Sequence, residues 1–124
     1  MPGQGDIRKR VGSRGEECAR AYLLAHGYVI KSMNWHTKVG EIDIVALKER
    51  KWVFVEVRST RGASFGLGFQ SVDQRKQQQV RRLAQLYLQQ NQLIDAPIRF
   101  DVISIWFKNG IEREPELYHL QGAF

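Results

Sequence analysis

Apolar and polar positions alternate with a period of two through "GEIDIVALKERKWVFVEVRS", residues 40–59, which predicts two strands and a tight connection between them. Ile42, Ile44 and Ala46 take one face of the first strand, with Glu41, Asp43, Val45 and Leu47 on the other. The second strand sets Val53, Val55 and Val57 against Trp52, Phe54, Glu56 and Arg58. "KERK" is the expected hairpin loop. Symmetry about Glu49 and Arg50 would then pair Leu47 with Trp52, Val45 with Phe54, Asp43 with Glu56, and Glu41 with Arg58. Four charged side chains would share one face of one ribbon.

Upstream, Ser13 followed by Glu16 fits a capping box and Gly27 fits the position just past a helix end, which predicts a helix from Arg14 to His26. Cys18, Ala19, Tyr22, Ala25 and His26 would share its inner face, with Leu23 and Glu16 at the border. Residues 1–12 read as a flexible basic arm. "YVIKSM" predicts a short strand, and "NWHTKVG" a loop. Beyond the hairpin, the glycines of "RGASFGLGF" mark a loop, and Ser71 with Gln74 repeats the capping signature. A helix to about Gln90 follows, with Val72, Val80, Leu83, Ala84, Leu86, Tyr87 and Leu88 as its apolar stripe. Lys76 projects from that stripe, while Arg75, Gln78, Arg82, Gln85 and Gln89 line the opposite side. "IRFDVISIW" predicts another strand, with Asp101 held by Arg99 or a loop, then a turn at "KNG" and a last edge strand at "ELYHL". This order predicts an α/β protein with a single mixed β-sheet flanked by helices, in one domain over residues 13–124.

The chain length of 124 residues suits one hydrophobic core. Cys18 is the only cysteine, which excludes an intrachain disulfide, and His26, His36 and His119 lack zinc-binding spacing. No run approaches the ~20 apolar residues of a membrane span, and no apolar segment follows the basic residues of "MPGQGDIRKRVG", so a cytoplasmic protein is expected. Nineteen Lys and Arg against 13 Asp and Glu leave a net charge of +6, which favours a polyanionic partner.

That basic balance sharpens the question of the acidic hairpin. Two carboxylates facing one another across a strand pair repel unless a cation lies between them. Mg²⁺ takes one or two carboxylates, keeps several waters and accepts phosphate oxygens, so Asp43 and Glu56 on a basic protein point to metal-assisted phosphodiester hydrolysis. The bland alternative is a solvent-facing sheet surface neutralised by Arg58.

"GEID" followed by "VFVEVR" resembles the PD-(D/E)xK nuclease pattern. The chain as a whole, through "GSRGEECARAYLLAHGY", "GEIDIVA", "FVEVRSTR", "SVDQRK", "RFDVISI" and the terminal "GAF", resembles the YraN-like bacterial family, whose fold is similar to archaeal Holliday-junction resolvases. The resemblance implies a restriction-endonuclease-like core and an Mg²⁺- or Mn²⁺-dependent endonuclease acting on nucleic acid, DNA ahead of RNA, with branched DNA as one substrate. It implies Asp43, Glu56 and the Val57 carbonyl as metal ligands, with Glu41 a further candidate, and Glu16 as the glutamate of the first helix. Where the superfamily has lysine, this chain has Arg58, which stays protonated and cannot act as a general base. Lys76 is the candidate replacement. Arg14, Arg61, Arg75 and Arg82 are the expected nucleic-acid contacts, and a resolvase-like role would imply a homodimer. A nucleic-acid-binding scaffold with weak or no catalysis is the alternative function.

Overall fold

The computed structural model describes residues 4–62 and 72–124. It contains a mixed five-stranded sheet in the order β1-β2-β3-β4-β5, with strands Val29–His36, Glu41–Lys48, Lys51–Arg61, Ile98–Phe107 and Glu116–Leu120. Helix α1 (Gln4–Ala25) covers one face and α2 (Gln74–Gln90) the other. Among the described residues only β3 and β4 run parallel, and α2 lies in the crossover that such a pair requires.

The β2–β3 hairpin closes through Glu49 and Arg50, at φ +50° and +72°, a two-residue connection whose twist suits the flanking strands. Leu47 faces Trp52 and Val45 faces Phe54, the register that symmetry predicts. The pairing then stops at Ile44–Val55, so the expected Asp43–Glu56 and Glu41–Arg58 rows do not form. The alternation in β2 also resets there. Ile44 and Ala46 pack on the α1 side, but Ile42 joins Val45 and Phe54 on the α2 side. In β1 the partner of this reset is Asn34, at φ +51°; Met33 packs towards α1 and Trp35 towards α2. β1 thus extends through Asn34, Trp35 and His36, the first three residues of the segment expected to be a loop.

Helix α1 begins ten residues earlier than its capping signature predicts, so residues 4–12 are helical rather than an arm, and Ser13 is an exposed position in mid-helix. Its buried line is Val11, Gly15, Ala19 and Leu23, spaced by four, which puts Leu23 at the centre and leaves Ala25 and His26 exposed. Gly15 permits a close approach, because a Cβ there would lie 2.9 Å from Ser59 Cβ on β3. The helix ends as expected at Gly27 (φ +85°), with the Tyr28 N–H donating to Leu23 O at 3.0 Å. In α2, Val80, Leu83, Ala84 and Tyr87 are buried, and Arg75, Gln78, Arg82, Gln85 and Gln89 are exposed, in line with the predicted stripe. Its N-cap is Asp73, which accepts from the Lys76 N–H at 2.8 Å; the signature read at Ser71 lies outside the described residues.

Asp101 anchors the other end of β4. Fully buried, it accepts two hydrogen bonds from Arg99 at 2.8 and 2.7 Å and one from the Gly122 N–H at 3.0 Å. His119 Nε2 lies 2.7 Å from its Oδ2, and Tyr22 Oη 3.0 Å from His119 Nδ1. Burial alone would raise the Asp101 pKa, but hydrogen bonds from His119, Arg99 and Gly122 hold it below the ordinary value. An ionised carboxylate only accepts, so His119 donates to Asp101 through Nε2.

Candidate functional site

The strand pair opens where Asp43 sits. The Val57 N–H, freed from the β2 backbone, donates instead to Asp43 Oδ2 at 2.8 Å. In an extended strand the N–H and C=O of one residue point to the same side, so the Val57 carbonyl faces the same opening. Glu56, the preceding residue, is 7% exposed, and its Oε1 is buried without a hydrogen-bond partner. Such an atom is costly in a folded protein unless it serves a ligand.

Lys76 Nζ lies 3.7 Å from Glu56 Oε2, and its side chain remains 42% exposed. Lys76 and Arg58 offset the charge of Glu56 only in part. Burial raises the Glu56 pKa to about 7, the neighbouring Asp43 charge adds to the rise, and Lys76 and Arg58 oppose it. Asp43 is also raised, to about 6, mainly by burial and further by Glu16 and Glu41; the Val57 N–H and Lys76 pull the other way. Burial is the largest cause of both shifts, and nearby carboxylates add to each, so this opening disfavours negative charge on either side chain.

Glu16 and Glu41 reach the site from α1 and β2. Asn34 joins them, its Nδ2 donating to Glu16 Oε1 at 2.9 Å and to Glu41 Oε1 at 2.8 Å. Glu41 is therefore held by β1, not by Arg58 as its expected row would have it. Asn34 is the residue that sequence reasoning missed. An Asn in a stretch read as loop gave no signal, although Asn tolerates the left-handed backbone that redirects its side chain.

The raised pKa values fix a sign. A group whose folded pKa exceeds its unfolded value contributes stability below the unfolded pKa and loses it as pH rises through the folded one. Glu56→Gln should therefore match wild-type melting near about pH 4 and melt progressively higher than wild type up to about pH 7.5, in metal-free buffer. A difference independent of pH would remove the carboxylate charge as its source.

The residues fit a divalent cation. Among the described residues no three His, Cys, Asp or Glu side chains gather to hold one alone, so a cation here would rest on Asp43, Glu56, a carbonyl and waters, a set suited to Mg²⁺. Glu56, Arg58 and Lys76 line a cavity of about 490 Å³ with Val57, Ser59, Thr60, Val72 and Asp73. Of the expected nucleic-acid contacts, Arg61 lies on an adjoining cavity. Arg14 turns away, donating to Ile111 O at 3.3 Å and lying 3.8 Å from Glu17, and Arg75 and Arg82 occupy the outer face of α2.

A mixed sheet with a helix on each face and two carboxylates at the fork of its central strands is compatible with the restriction-endonuclease-like class. More specifically, the chain belongs to the family described as "Uncharacterised protein family UPF0102", whose model matches residues 15–105. A UPF0102 protein of Alkaliphilus oremlandii is 38% identical over 120 residues, covering 95% of this chain and 100% of the relative. Others from Syntrophotalea carbinolica and Moorella thermoacetica are 43% and 41% identical over 117 residues, each covering 94% of this chain and, respectively, 93% and 97% of the relative. No described helix is long and apolar enough to cross a membrane.

Proposed function

We propose that this protein is a divalent-metal-dependent nuclease that hydrolyses phosphodiester bonds, with DNA as its substrate ahead of RNA and branched DNA among the forms it cuts. The observation that carries the reading is the unpartnered, buried Glu56 Oε1 beside Asp43 in a basic protein. Held by Asp43, Glu56 and the Val57 carbonyl, Mg²⁺ or Mn²⁺ supplies, when bound, electrophilic charge beside a phosphoryl group and a lowered pKa for water. Lys76 offsets the charge of Glu56 and presents an ammonium at the cavity wall. Arg58 stays protonated and stabilises negative charge developing on phosphate oxygens, without accepting a proton. Glu16, tied to Asn34 through Oε1, would orient a water at the edge of the site.

Arg58 also favours the second reading, a nucleic-acid-binding scaffold with weak or absent catalysis. A cleavage assay with Mg²⁺ or Mn²⁺ on single-stranded, linear duplex, flap and four-way junction DNA and on RNA separates the two. The nuclease reading expects cleavage that requires metal and disappears in both Asp43→Ala and Glu56→Ala. Binding by wild type without cleavage would favour the scaffold, and cleavage that survives in both variants would place the chemistry elsewhere.

A further inference from the structure

Two cavities meet along the outer half of β3. The one that holds Glu56 and Lys76 opens on the α2 side; a second, of about 260 Å³, shares its Val57, Ser59 and Thr60 wall and is closed by Arg8, Val11, Gly12 and Glu16 of α1 and by Arg61. We propose that this second cavity is a phosphate subsite, in which Arg8 and Arg61 grip a backbone phosphodiester of the same nucleic-acid strand that passes Asp43 and Glu56. The proposal rests on the nucleic-acid reading above and adds to it the path of the strand.

Charge and partners carry it. Arg10 pairs with Glu112 at 2.9 Å, Arg14 approaches Glu17, Arg99 pairs with Asp101, and Lys76 approaches Glu56. Arg8 and Arg61 make no ion pair among the described residues, and both are exposed. Two cations lining one small cavity repel one another, and an anion between them removes that cost. The wall is also open to close approach, since a Cβ added at Gly12 would meet nothing within 4 Å. The acid of the cavity, Glu16, lies eight residues from Arg8, about 12 Å along the helix, and Asn34 engages one of its oxygens. The cavity therefore runs from a cationic end to an acidic end that borders the candidate metal ligands. A single phosphate could occupy only the cationic end, whereas a strand could seat one phosphate there and present another to Asp43 and Glu56.

The test is fluorescence anisotropy with labelled single-stranded and duplex DNA, Ca²⁺ replacing Mg²⁺, over a salt series, on wild type, Arg8→Ala/Arg61→Ala and Arg75→Ala/Arg82→Ala. The first double variant should bind about tenfold more weakly or worse, with a salt dependence shallower by about two counterions. It should melt no lower than wild type and keep the Mn²⁺ response. The second double variant, on the outer face of α2, should lose less than about threefold. Wild-type binding unchanged in Arg8→Ala/Arg61→Ala, or weakened equally in both variants, overturns the subsite while leaving the parent reading intact. Absence of nucleic-acid binding by wild type overturns both. Inorganic phosphate that protects the wild type against heat as well as an oligonucleotide of equal phosphate content would assign the cavity to a free anion and overturn the strand path.

Discussion

Asp43→Asn is expected to raise the melting temperature of the metal-free protein by about 5 °C near neutral pH, the scale of 1 kcal/mol in a domain of this size. The same substitution should erase stabilisation by Mn²⁺ and abolish cleavage. The amide oxygen of Asn can still accept the Val57 N–H that Asp43 Oδ2 now accepts at 2.8 Å, so the fork is kept while its unfavourable charge is lost. Wild type at an Mn²⁺ concentration a hundredfold above its dissociation constant should gain about 2.7 kcal/mol. Thermal melting with and without Mn²⁺ reads both effects. A variant that still gains stability from Mn²⁺ would reject Asp43 as a ligand, and one that melts lower than wild type without metal would reject the repulsion.

The two acids were legible because a period-two pattern exposes any charge that interrupts it, and the register of Leu47 and Val45 followed from the symmetry of a short turn. The fork was not. Symmetry extends a ladder indefinitely, and what ends it at Ile44–Val55 is a side chain of β2 that accepts a backbone N–H of β3, together with a left-handed Asn34 on a third strand. Those are tertiary facts. The start of α1 was misplaced for a related reason: Ser13 and Glu16 satisfy a capping pattern, but Val11 is buried against the sheet and extends the helix through that position. Lys76 was legible as a cation out of place on an apolar stripe, and the contact with Glu56 accounts for it.

Asp101→Ala should be the most destabilising single change considered. It strands the Arg99 guanidinium, leaves His119 without its acceptor and releases the Gly122 N–H. Breaking a buried pair from one side costs about 3–5 kcal/mol, which corresponds to a melting temperature lower by about 15–25 °C. The C-terminus should loosen with it, because Phe124 stacks on Phe100 at 5.0 Å only two residues beyond the Gly122 contact. Asp101→Asn retains an acceptor of the same shape and should lose less. Urea unfolding measures both, and a loss below about 1 kcal/mol for Asp101→Ala would mean that water replaces the carboxylate. The sequence showed Asp101 and Arg99 as neighbours on one strand face; His119 joins them only through the pairing of β4 with β5.

The hydrogen bond from Val57 to Asp43 turns a backbone proton into a resident spectroscopic probe. The bond's strength depends on the charge of the carboxylate that accepts it, so protonation of Asp43, or its capture by an ion, would move the amide resonance of Val57 while the amides of Phe54 and Val55, locked in the ladder, stay still. One nuclear magnetic resonance signal, followed through a titration, would thus report the occupancy of the fork with no substrate present.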